Sequence, residues 1–289
     1  ISGAGPETQP LDLLCLRSHS RSQFGRVCGL ARRRCNTVFW QVSPLSKIAG
    51  KYHIQALPEA CVGPLDQQFF MGGVALASAI DALQTEFQKP LSWAHIQFHA
   101  HGMRGDDIEV DVARLSGGKS IVQAGTTVST DGRVLQTVMA SLGSRDSAFE
   151  AQFVKAPEVP KPSDCPPKAP DAFAQPGNLL DQFERRVAYQ DDSTGKEYLW
   201  FRPNFECEIS APLLAILADF FLGAHTATRG GTSLDNSFRV FDLSPSKWIL
   251  NVTQLAGIKT DMVQGQVHQF SEDGRLLATG SQTGLLPRR

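Results

Sequence analysis

An internal repeat constrains this chain more than any other feature. Residues 129–143 read STDGRVLQTVMASLG and residues 271–285 read SEDGRLLATGSQTGL, with Gly132 and Gly274 lying 142 positions apart. Each segment ends the same series of elements. The first series opens with MGGVALASAIDALQTEF (71–87), whose Val74, Ala77, Ile80, Ala82 and Leu83 fall close to one helical face. Lys89-Pro90 stops that helix, because proline cannot continue one. Strand-like runs follow at 93–101, 107–115, 119–129 and 133–143, separated by the turn signals Arg104-Gly105-Asp106, Ser116-Gly117-Gly118 and Thr130-Asp131-Gly132. The second series has a strand pair at 183–190 and 196–204, an apolar helix at 211–224, and strands at 233–241, 248–257, 262–271 and 275–286. Two copies of one helix-plus-antiparallel-sheet unit are predicted, an α+β arrangement in which each sheet packs on its helix. Fusing the copies lets their sheets pair edge to edge, hiding strand edges.

Between the copies, 144–178 carries seven of the chain's 17 prolines and reads as a stiffened connection. The predicted division is a basic extension (1–50), a first unit (51–145), a Pro-rich linker (146–178) and a second unit (179–289). Charge separates the extension from the rest. The chain has 28 Lys plus Arg and 29 Asp plus Glu, a formal net charge of −1. From Leu13 to Pro58, however, Arg17, Arg21, Arg26, Arg32, Arg33, Arg34, Lys47 and Lys51 face no acid. That stretch reads as a surface extension or as an organellar transit segment. The near-neutral total argues against a nucleic-acid partner. No apolar run reaches the roughly 20 residues of a membrane span. Six scattered cysteines without a C-x-x-C pair argue against a zinc ribbon and for free thiols in a reducing compartment. The expected location is cytoplasmic, or peroxisomal or mitochondrial if the extension is a targeting segment.

A helix wrapped by such a sheet is the hotdog unit, and here a resemblance becomes specific. FFMGG, SWAHIQFHAHGMRGDD, the GGKS turn, DGRVLQTVMAS, EYLWFRPN, LADFF, TSLDNSFRVF and LLATGSQTGLLPR occur in that order from about Pro58 to the end. This region resembles the double-hotdog acyl-CoA thioesterases of the type II bacterial and peroxisomal kind. The resemblance implies a double-hotdog fold, an acyl-CoA substrate, no cofactor and no metal; it leaves a homo-oligomer open. It also implies a catalytic set of Asp219 in LADFF, Ser233 in TSLDNS and Gln282 in GSQTG, which hold and activate a water. Ser233 keeps the hydroxyl where the family often has threonine. The family's Gly-Gly-Gln becomes Gly72-Gly73-Val74, which removes a side chain but keeps backbone donors.

The residues support that chemistry in their own right. Asp219 lies in the most apolar helix, where a carboxylate must be satisfied or functional, and burial suits it to act as a general base. Ser233 can donate to Asp219 and accept from a water; Gln282 both donates and accepts. N–H groups near Gly72 and Gly73 are the expected substrate-binding donors for the thioester oxygen. In the first copy Ala140 stands for Gln282, Trp93 for Ser233 and a position near Ala79 for Asp219, so one site per chain is expected. ARLSGGKS (113–120) mimics a phosphate loop, but a β-branched run follows it instead of a helix, so it reads as a hairpin turn. His95, His99 and His101 are read as one strand face without a third metal ligand. The alternatives are a hotdog protein that binds acyl-CoA or acyl carriers without hydrolysis, and a dehydratase or hydratase using His95 or His99.

Overall fold

The computed structural model describes residues 38–45 and 48–288. Most of the basic extension, 1–37 with 46 and 47, lies outside the described residues, as does 289.

Fourteen strands and two α-helices organise the described chain. The strands are β1 (Ser43–Pro44), β2 (Lys51–Gln55), β3 (Cys61–Val62), β4 (Phe69–Phe70), β5 (Leu91–Phe98), β6 (Asp107–Gly117), β7 (Val122–Thr130), β8 (Arg133–Leu142), β9 (Phe183–Asp191), β10 (Lys196–Pro203), β11 (Thr232–Val240), β12 (Ile249–Lys259), β13 (Met262–Ser271) and β14 (Leu276–Leu285). The helices are α1 (Gly72–Phe87) and α2 (Ala211–Ala218). Twelve strands form one sheet in the order β1-β2-β6-β7-β8-β5-β11-β14-β13-β12-β10-β9; β3 and β4 form a separate pair. The order is a palindrome about the β5–β11 junction. There β5 and β11 pair antiparallel, with His95 opposite Ser237.

Register carries the repeat further than the sequence does. On β5 and β8, Ala94 faces Ala140; on β11 and β14, Asn236 faces Gln282. Both members shift by 142 positions. The ladders β7–β8 and β13–β14 also bulge at matching places, after Val128 and after Gln269. His95 and Ser237, themselves 142 apart, meet through Nδ1 and Oγ at 2.8 Å. The local two-fold relation between the halves therefore passes through this pair.

α1 begins at Gly72 after an extended Met71 and ends when Gln88 turns left-handed (φ 50°), its N–H donating to Gln84 O. Its burial is wider than the single face that periodicity predicts. Gly73 to Ile80 are all buried, since the sheet covers one side of the helix and α2 packs on the other. Alanines at 75, 77, 79 and 82 let these layers approach closely.

Three expectations need correction. The apolar segment 211–224 is not one helix: α2 stops at Ala218 and Asp219–Ala224 tightens into a 3-10 turn. The extension does not end cleanly at 50, because Trp40 and Val42 join the core and Val42 N–H donates to Asp81 on α1. Its last residues are part of the fold. The three histidines do not share a strand face, because β5 ends at Phe98 and both His99 and Ala100 N–H turn to Leu135 O.

The proline-rich segment does more than connect. Pro166 and Lys168 exchange backbone bonds with Val187 and Arg185, covering the outer edge of β9. Ala156, Val159 and Cys165 pack on Trp200, Trp248, Leu250, Phe270 and Leu276, and Trp200 Nε1–H donates to Pro160 O at 3.0 Å. Lys168 forms a buried ion pair with Glu197. The Gly117–Ile121 stretch is the β6–β7 hairpin turn, closed by Gly118 N–H to Ile121 O.

Candidate active site

Asp219 caps the C-terminus of α2 with φ −80° and ψ 0°. Its side chain points at the first turn of α1, and it is only 8% exposed. Oδ2 accepts the Gly73 N–H at 2.6 Å and Oδ1 accepts Gln282 Nε2 at 2.9 Å. The glycine pair permits this closeness. A Cβ on Gly73 would lie 2.7 Å from Asp219 Cβ and 3.0 Å from Ile216 O, and one on Gly72 would lie 2.8 Å from the Phe98 ring and 3.0 Å from Asp219 Oδ2. Gly73, placed in the sequence among the oxyanion donors, thus spends its N–H on Asp219. Gly72, the first helical residue and partly exposed, has an N–H with no intrahelical partner.

Gln282 is the hub. Its Nε2 donates to Asp219 and, at 2.6 Å, to Ser233 Oγ. Ser233 therefore reaches Asp219 through Gln282 and not by the direct donation expected from the sequence. The Gln282 Oε1 is buried and has no protein partner. Asn236, directly opposite Gln282 in the β11–β14 ladder, is buried, and its side chain acts on the Asp219 carboxyl by opposing the upward push of burial. Its Oδ1 is likewise buried without a partner.

Burial pushes the Asp219 carboxyl up to about 7, against the opposing pull of the Gly73 and Gln282 donors and of Asn236. A carboxyl balanced there exchanges its proton near neutral pH, as a general base requires. The first-half counterparts of Asn236 and Gln282 are Ala94 and Ala140, both fully buried in the apolar core.

Asn236 was missed in the sequence because strict alternation puts it on the opposite face from Ser233. A bulge between Ser233 and Asp235 resets the phase. The histidines take other roles: His99 Nε2 meets Thr137 Oγ1 at 3.1 Å and His101 packs on Phe69. Among the described residues no cluster of His, Cys, Asp or Glu could hold a metal ion, and no helix is long and apolar enough to cross a membrane. Cys61 and Cys165 are buried thiols.

A profile of the acyl-CoA thioesterase C-terminal domain matches residues 162–286. A Novosphingobium aromaticivorans protein of solved structure, provisionally described as a thioesterase, is 30% identical. The match covers 87% of this chain and 100% of that one, with a TM-score of 0.81. The chain belongs to the acyl-CoA thioesterase family. Its hotdog fold is shared with a protein of unknown function from Alicyclobacillus acidocaldarius (19% identity, TM-score 0.75, 87% and 97% of the two chains). It is also shared with an acyl-CoA thioesterase II from Mycobacterium marinum (17% identity, TM-score 0.70, 87% and 97%). A comparison with curated protein sequences finds no significant match.

Proposed function

We propose that this chain hydrolyses a fatty acyl-CoA to the free acid and coenzyme A, by direct attack of a water held by Asp219, Ser233 and Gln282. One observation carries the reading. A single amide, Gln282 Nε2, ties Ser233 to a buried carboxylate whose other oxygen is fixed by the N-terminus of α1. A buried carboxylate and a buried amide, tied to a partly exposed hydroxyl, need a purpose beyond packing.

The chemistry follows from the atoms available. Asp219 takes a proton from the water as its oxygen attacks the thioester carbonyl. The buried Gln282 Oε1 and the Ser233 hydroxyl offer acceptors that orient the water's hydrogens. The carbonyl oxygen becomes negative and is stabilised by the Gly72 N–H and the positive end of α1. The tetrahedral intermediate collapses, the C–S bond breaks, and Asp219 returns its proton to the departing thiolate. No cofactor enters the cycle.

The matched registers support reading the chain as two hotdog units, 51–145 and 179–289, of which only the second bears the polar set. They supply its two walls: α1 brings the glycines and α2 brings Asp219. The dehydratase reading loses ground, since His95 alternates with the buried Ala94 and Ile96 and so lies on the sheet face away from α1. The test is thiol release across an acyl-CoA chain-length panel, run beside Asp219→Asn and Gln282→Ala. Turnover by the parent and its loss in both variants is the expected result. Unchanged turnover in both would remove these residues from the mechanism, and acyl-CoA binding without turnover in the parent would favour the binding-protein alternative.

A further inference from the structure

The second half contains a buried amide pair that the mechanism does not use. Asn251 on β12 and Gln269 on β13 face each other in the ladder, and both lie in the interior. Gln269 Nε2 donates to Asn251 Oδ1 at 3.0 Å and to Leu214 O at 3.0 Å; Asn251 Nδ2 donates to Leu217 O at 2.7 Å. Both backbone acceptors belong to α2, which is apolar and buried along its whole length.

Two amides in such surroundings are costly unless satisfied, and one is not fully so: Gln269 Oε1 has no partner. The first half shows that the fold does not require them. There the matching ladder position pairs Val110 with Val128, and the bulge follows Val128 as it follows Gln269. Both valines are fully buried. The helices differ accordingly. Over the valines α1 runs for 16 residues, whereas over the amides α2 ends after 8.

The position of that end matters. In a continuing helix, Leu217 O would accept the N–H of residue 221. Here it accepts Asn251, and the Asp219 N–H bonds back to Ile216 and Leu217 in a tighter turn. Asp219 is the first residue of that turn.

We propose that Asn251 and Gln269 are positioning residues for Asp219: the Asn251 amide takes the Leu217 carbonyl and ends the helix at Ala218, Gln269 anchors that amide to α2 through Leu214 O, and together they hold the carboxylate against Gly73 and Gln282. The role rests on Asp219 being the hydrolytic base. It explains why an amide pair replaces a valine pair under one helix only.

The test installs the first-half pair, Asn251→Val with Gln269→Val, in the full chain. Replacing both partners together by apolar groups leaves no orphaned donor and should preserve folding. The expected result is a folded protein with kcat lowered about 10- to 100-fold and KM little changed, the cost of a displaced catalytic group. The acid limb of its pH–rate profile should move to higher pH, because bonds favouring the anion are lengthened. Wild-type kcat with an unmoved limb would overturn the proposal. Carboxyl titration of Asp219 by NMR, which needs no turnover, separates this from failure of the hydrolase reading. An upward shift in the double variant supports the positioning role whatever the substrate, and an unchanged titration refutes it. If the double variant does not fold, Asn251→Ser, which shortens the donor, carries the same prediction in both measurements.

Discussion

Replacing Asp219 with asparagine should remove activity and add stability, and the added stability should depend on pH. Burial holds the native carboxyl's pKa near 7, whereas its ordinary value is 3.8. The native state thus keeps a proton that the unfolded chain has already released. Between about pH 4 and pH 7 the unfolded chain gains on the native one by roughly 1.4 kcal/mol per pH unit for this group. Over some three units the wild-type protein loses about 4 kcal/mol from this source. Asparagine does not titrate and keeps the shape. Its carbonyl can accept the Gly73 N–H, and its amide can donate to the Gln282 Oε1 that now lacks a partner. Urea unfolding of both proteins from pH 4 to pH 9 checks this. The variant's advantage should grow through pH 4–7 and level off above, while its thiol release falls by about 10²–10⁴. The wild-type rate should rise through the same window, because the base must be ionised. A stability difference that stays flat with pH, or that shrinks as pH rises, would refute the argument that burial dominates this carboxyl.

Other consequences are as direct. Gly73→Ala places a Cβ 2.7 Å from Asp219 Cβ and against Ile216 backbone. Overpacking of this kind should cost about 1–3 kcal/mol in chemical unfolding and lower kcat by pushing the two helices apart. Ser233→Thr keeps the hydroxyl and should retain turnover, whereas Ser233→Ala removes the acceptor of Gln282 Nε2 and should lower kcat more than it raises KM in steady-state assays. Lys168→Met leaves Glu197 buried and unpaired. Loss of about 3–5 kcal/mol is expected by urea unfolding. The loss should be greater at pH 8 than at pH 5, because the Glu197 carboxyl, already raised by burial, rises further without its lysine.

What the sequence disclosed follows from the range of its forces. α1 was legible because its periodic apolar residues and its Lys-Pro stop are local. The strand runs and their Gly-containing turns were legible for the same reason. The end of α2 was not, because Phe220, Phe221 and Leu222 continue an apolar helical pattern. The amides that take its carbonyls lie more than 30 residues further along the chain. The motifs suggest Asp219, Ser233 and Gln282 as a set, but not their wiring. That Gln282 stands between the other two depends on the β11–β14 register. Asn236 was hidden by a bulge and Gly73's donation to Asp219 by the packing of two helices distant in sequence. The proline-rich segment looked like a spacer because its burial depends on two tryptophans, Trp200 and Trp248, that its composition does not reveal.

In the proposed mechanism a water activated by Asp219 attacks the thioester carbonyl itself. A single turnover of acyl-CoA in H₂¹⁸O, followed by mass spectrometry of the acid and of the peptide containing Asp219, tests it. Direct attack by water places one ¹⁸O in the released acid and none in Asp219. Unlabelled acid with ¹⁸O in the Asp219 carboxyl would show attack by the carboxylate through an acyl-enzyme, and would contradict it.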